Sequence, residues 1–136
     1  MATIDTSGYD DLGVFLQDLS NCPDHVLNGM LEAGADILVN EIKSKAASML
    51  NGPYYQGGVA GGVVKKRPVK SGDGRKIPIT FEGTQHGERI GTIAFVNEHG
   101  TRKQAARPFV KTSIETSKSQ VTDAEQEVFN AWIDSL

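Results

Sequence analysis

From Asp24 to Leu50 the apolar residues Leu27, Met30, Leu31, Ile37, Leu38, Ile42, Ala46 and Met49 recur at intervals of three, four and seven. That spacing places them on one face of an α-helix, and a one-faced helix of this length has to be covered by the rest of the chain. It is the strongest constraint on the fold. Pro23 suits the first turn, where a missing N–H costs nothing, and Asn51-Gly52-Pro53 is a stop signal. Gly29 and Gly34 weaken the helix by roughly 1 kcal/mol each relative to alanine, and their missing side chains let another backbone pack closely.

Weaker patterns surround it. In Asp10 to Ser20, Leu12, Phe15, Leu16 and Leu19 form a stripe at helical spacing, which predicts a short amphipathic helix. The segment 53–62, "PYYQGGVAGG", has two glycine pairs and no periodicity and reads as a flexible surface loop, most simply a linker. Val63–Lys70 and Arg75–Glu82 flank "SGDG" and predict a hairpin over 63–82. Pro68 and Pro78 lack a ladder donor, which puts that hairpin at a sheet edge or projecting from it. Arg89–Asn97, "RIGTIAFVN", is apolar on both parities and reads as a central strand. Phe109–Lys118 reads as a helix. "TDAE" at Thr122–Glu125 is a capping box that would start another over 122–135, with Val128, Phe129, Trp132 and Leu136 buried. The expected class is α+β: a long N-terminal helix and C-terminal helices on a small, mostly antiparallel sheet, with a projecting basic hairpin.

Length and composition fit one domain over residues 1–136 with a lean core, since 38% of residues are hydrophobic and 7% aromatic. The single cysteine, Cys22, excludes an internal disulfide framework and any multi-cysteine metal site. The opening "MATIDTSGYDDLGVF" has no basic segment before an apolar core, and no run approaches ~18 apolar residues, so neither a signal peptide nor a membrane helix is expected. Charge is segregated: Gly61–Lys111 holds 11 Lys/Arg against 4 Asp/Glu, whereas the flanks hold 3 against 13. A basic middle with acidic ends suits nucleic acid, or head-to-tail contact with copies of the same chain or a charged neighbour.

Little in the chain points to catalysis. His25, His86 and His99, with Glu88 and Glu98, show no recognised ligand spacing, and solvated turn histidines are the simpler reading. Cys22 at a helix start reads as a cap or a small half-buried residue, and no serine lies in a nucleophile elbow. "GGVAGG" is not followed by Gly-Lys-Ser/Thr and so is no phosphate loop. No catalytic, metal or cofactor residue is expected, and the chain does not read as an enzyme. The basic run Lys65, Lys66, Arg67, Lys70, Arg75 and Lys76 suits a phosphate backbone, a protein-binding arm or a solvated hairpin, and it has no aromatic interleaving.

The segment "EHGTRKQAARPF", Glu98 to Phe109, reads as a joint. Gly100 can take a positive φ and turn the chain after Glu98 and His99. Arg107 is held extended by the following proline, Pro108 is preset for a helix start, and Phe109 anchors that helix. Arg102, Lys103 and Arg107 then project from a short stiff connection toward a partner, and His99 is expected to tolerate substitution.

"FVNEHGT" followed by "QAARPFVKTSIE" resembles the signature of the head-tail joining, or tail-completion, proteins of long-tailed phages, typified by the gene-ten product of a lambdoid siphophage. Val96, Glu98, Gly100, Thr101, Ala106, Arg107, Pro108 and Phe109 match it, with Asn97 as an extra residue before the glutamate. The resemblance implies a small virion protein of the neck, made in the cytoplasm of the host bacterium and assembling as a ring between head and tail. The implied partners are copies of itself, the adjoining connector or head-completion ring, and the tail terminator or tail tube, with DNA in the channel as a further contact. It leaves a tail terminator or a small nucleic-acid-binding protein as the alternatives.

Overall fold

The computed structural model describes residues 2–5, 11–16, 23–50, 57–72 and 74–136. The class is α+β, with two 26-residue helices and a small antiparallel sheet. The first helix, α1 (Asp24–Met49), is the one the apolar stripe predicts. It starts where Pro23 stands just outside the helix and its carbonyl accepts the N–H groups of Val26 and Leu27. Leu31, Ala35, Leu38 and Ile42 are completely buried, each large side chain contributing about 1.5–3 kcal/mol of hydrophobic stabilisation.

The other long helix, α4 (Phe109–Asp134), runs antiparallel to α1, with Gly29 facing Val128 and Gly34 facing Val121. One continuous helix therefore replaces the two expected over 109–118 and 122–135. The "TDAE" capping box is not used: the Thr122 hydroxyl donates to the Lys118 carbonyl one turn back, as inside a helix. What carries the helix through is a buried stripe of Phe109, Ser113, Ser117, Val121 and Glu125 at steps of four. Ser113 and Ser117 donate to the carbonyls of Phe109 and Ser113, so small polar residues are buried without loss. At Gly34 the close approach is made by side chains of α4 and not by its backbone. A Cβ there would lie 3.0 Å from Val121 Cγ1 and 3.2 Å from Glu125 Oε1.

The five-stranded sheet is wholly antiparallel. Its strands are β1 (Ala2–Asp5), β2 (Asp11–Leu16), β3 (Val63–Lys65), β4 (Val69–Ser71) and β5 (Gly74–Phe81). In order they run β1, β2, β5, with β3 and β4 sharing the far side of β5. The helix expected over 10–20 is thus corrected, because 11–16 is a strand paired with both β1 and β5. Leu12, Val14 and Leu16 alternate as well as Leu12, Phe15 and Leu16 step helically, and Gly13 and Phe15 disfavour the helix. Residues 17–20 and Cys22 lie outside the described residues.

The 63–82 segment pairs as expected, Ser71 opposite Gly74 across the "SGDG" turn. Its outer limb, β3 and β4, is the sheet edge, while β5 is an interior strand. Pro78 is tolerated there for a specific reason. Lys65 pairs with Ile79 and Val69 with Lys76, so Lys66, Arg67 and Pro68 face only Ile77 and Pro78, and the extra residue is a β-bulge. The missing N–H of Pro78 points at that interruption, and its carbonyl still accepts from Lys66 N–H.

Of the expected loop 53–62, residues 53–56 lie outside the described residues and Gly58–Gly62 forms a short helix, α2. Val59 is buried in the core, and Gly62 packs so closely that a Cβ would meet the Glu82 carbonyl at 2.6 Å. A small hairpin of β6 (Thr84–Gln85) and β7 (Glu88–Arg89) follows, turning at His86 and Gly87, both with positive φ as a two-residue turn of type I′ requires. Next comes α3 (Ile90–His99), a helix where a central strand was expected. Ile90, Ile93, Ala94 and Asn97 are its buried side, a helical spacing that apolar residues on both parities conceal.

The layers run sheet, α1, α4, with α1 lying between the other two. Phe109 reaches past α1 to meet Phe81 edge-on, ring centroids 6.0 Å apart. No helix among the described residues is long and apolar enough to cross a membrane.

Candidate functional site

The segment 98–109 folds into a joint between α3 and α4 that is tied at every few atoms. Gly100 ends α3 with φ 75° and ψ 177°, a conformation essentially reserved for glycine, and its N–H donates to the Val96 carbonyl. A Cβ at Gly100 would also lie 2.7 Å from the Ala106 nitrogen. The positive φ expected of Gly100 is present, at the end of a helix rather than of a strand. Thr101 and Gln104 then exchange backbone hydrogen bonds, and the Thr101 hydroxyl accepts from Lys103 N–H. Pro108, with φ −77° and ψ 68°, is the centre of an inverse γ-turn in which Phe109 N–H donates to the Arg107 carbonyl at 2.7 Å. It stands one residue before α4 and sets the direction from which the helix leaves.

Two side chains complete the joint. Glu98 reaches across it so that Oε1 accepts from Val110 N–H at 2.8 Å and Oε2 from Lys111 N–H at 3.0 Å. A carboxylate thereby satisfies two N–H groups at the positive end of α4, where no neighbouring side chain caps the helix. Asn97 is the hub. It is only 1% exposed, its amide donates to the Ile93 carbonyl, its Oδ1 accepts from Gln104, and its main-chain carbonyl accepts from Arg107 N–H at 2.6 Å. The sequence patterns did not single out Asn97 for this role. The one available signal was its position seven residues after Ile90, where a helix returns to its buried face.

The nine candidate cations divide by surroundings. Lys65 Nζ pairs with Asp36 of α1 at 2.6 Å, and Lys66 pairs with Glu82. Arg75 is fixed most firmly: Nε donates to Asn28 at 2.6 Å, Nη2 to the Pro68 carbonyl at 3.4 Å, and Nη1 lies 3.7 Å from Asp24. Lys76 and Arg107 are half-buried and have partners of their own. Arg67, Lys70, Arg102 and Lys103 are exposed, and their side chains have no ion-pair partner among the described residues. Part of the basic run therefore holds the sheet edge to α1, and the outward charge gathers at the β-bulge with β4 and at the tip of the 101–104 turn.

The histidines stay apart: His25 is exposed in the first turn of α1, His86 sits in the β6–β7 turn, and His99 is exposed at the end of α3, its ring 5.3 Å from that of Phe95. Among the described residues no three His, Cys, Asp or Glu side chains come together as a metal site would need. One ionisable residue lies where the patterns did not place it. Glu125, 4% exposed in the α1–α4 contact beside Gly34, has an Oε1 without a hydrogen-bond partner. Burial pushes its carboxyl up to about 7. Comparison of the chain with protein-family models, with curated proteins and with solved structures found no match.

Proposed function

We propose that this chain is a structural protein of the phage neck, a ring-forming tail-completion or head-tail joining protein that connects the DNA-filled head to the tail. The observation that carries this reading is the way the residues of the resemblance act on one another. Glu98 caps α4, Gly100 turns the chain, and Pro108 and Phe109 aim and seat the helix. Such a joint serves to hold a surface still, and the surface it holds carries Arg102 and Lys103. With Arg67 and Lys70 these offer exposed cations to acidic groups on adjacent copies or on the adjoining connector and tail rings, a contact that sets orientation and partner choice.

The test is electron microscopy of particles assembled without the protein. Full heads lying separate from finished tails support the joining role. Tails of uncontrolled length would make the protein a tail terminator instead, and normal particles at normal titre would overturn both readings.

A further inference from the structure

The outward face of α4 is as acidic as the sheet edge is basic. Asp123, Glu127 and Asp134 share one open surface, at steps of four and seven, on the side of the helix opposite Val121 and Glu125. From Ser119 onward the chain has no lysine or arginine, and the last turn of α4 has no basic residue to balance the negative end of the helix dipole. None of the three carboxylates has an ion-pair partner among the described residues. The unpaired cations Arg67 and Lys70 belong to the sheet layer, and α1 lies between that layer and α4. The two surfaces belong to different layers, and among the described residues no ion pair joins them.

We infer that the acidic outer face of α4 is the docking surface for the β-bulge and β4 edge, Arg67 to Lys70, of a second copy of this chain. The two stretches are comparable in length. Arg67 and Lys70, three residues apart, span about 10 Å of edge backbone. Glu127 and Asp134, seven residues apart on a helix, are separated by about 10.5 Å along its axis. The contact is heterologous, and each copy leaves one basic and one acidic face for the next. The inference rests on the assembly reading for its biological setting, and its chemistry is that of the exposed charges alone.

The test is sedimentation of the full chain over a range of concentrations, in dilute buffer and at physiological salt. Self-association that weakens with salt is expected. Lys70→Glu and Glu127→Lys should each weaken it roughly tenfold, and the double variant Lys70→Glu/Glu127→Lys should restore it. Both residues are exposed, so circular dichroism of each variant should match the wild type. A chain that stays monomeric in dilute buffer, or a double variant no better than the single ones, overturns the inference. Loss of joined particles without self-association would refute the contact and spare the proposed function. Restored association with unaffected particles would do the reverse.

Discussion

Glu125 lends itself to a quantitative test, because its acid is buried against α1 and nothing pairs its Oε1 among the described residues. Folded, the carboxyl holds its proton up to about 7, while the unfolded chain releases it near the ordinary 4.5. Folding therefore takes up a proton between those values. Stability is greatest below the unfolded value, falls as pH rises toward the folded one, and is flat beyond it. The full cost of ionising the buried group is about 3 kcal/mol, or roughly 10 °C in Tm for a domain of this size. Glu125→Gln keeps the shape and cannot ionise. It should match the wild type at about pH 4 and exceed it by up to about 3 kcal/mol at about pH 8, measured by thermal unfolding followed by circular dichroism. A gap between variant and wild type that is the same at both pH values would refute the assignment of the slope to this residue.

Glu98→Ala should cost about 1–2 kcal/mol in denaturant unfolding, since two N–H groups of α4 lose their acceptor, with Glu98→Gln recovering part of the loss. Gly100→Ala should cost about 2–4 kcal/mol, combining the strain of its positive φ with a clash against the Ala106 backbone, and the same assay reads it. The glycines of α1 should diverge under alanine. Gly29→Ala meets only an ordinary contact with Val128 and should gain up to about 1 kcal/mol, whereas at Gly34 the 3.0 Å approach of Val121 should cancel or reverse that gain. Equal midpoints for these two variants would contradict the packing described for α1 and α4.

What could be read in the chain, and what could not, follows from where each element gets its instructions. Helix α1 was legible because its one-sided stripe is long, and Gly100 and Pro108 because backbone geometry leaves few residues able to fill those positions. Helix α3 was not. Its buried face closes with Asn97, a polar residue whose burial is licensed by Gln104 and Arg107 farther along. The continuity of α4 was hidden in the same way, since Ser113, Ser117 and Glu125 carry its buried stripe and none of them scores as apolar. For β2 both periods fitted, and pairing with β5, 59 to 69 residues away, settled the matter. The candidate site was legible in composition and not in arrangement. Nothing local to "KKRPVKSGDGRK" indicates that Asp36 and Asp24 will claim Lys65 and Arg75.

The arrangement of that basic run also limits how a partner can approach. An open sheet edge invites another strand to add to it by backbone hydrogen bonds, and natural edges are blunted by lysines, prolines and bulges. The β3–β4 edge carries all of these, with Lys65, Lys66, Pro68 and Lys70 around a bulge centred on Arg67. Strand addition is thereby blocked along the stretch that is richest in charge. A partner has to be met through side chains, where contact is reversible and sensitive to salt, and Arg67 and Lys70 are the residues the bulge and β4 leave free of ion pairs among the described residues. In the inferred contact, protection of the edge and attachment to a neighbour are two consequences of the same residues. Replacing Pro68 and Arg67 together with Val and Thr should separate the two. It should increase strand-type aggregation, seen as thioflavin binding, while weakening salt-sensitive association in sedimentation. A variant that gains neither property and loses neither would show that the basic run serves only to solvate the sheet edge.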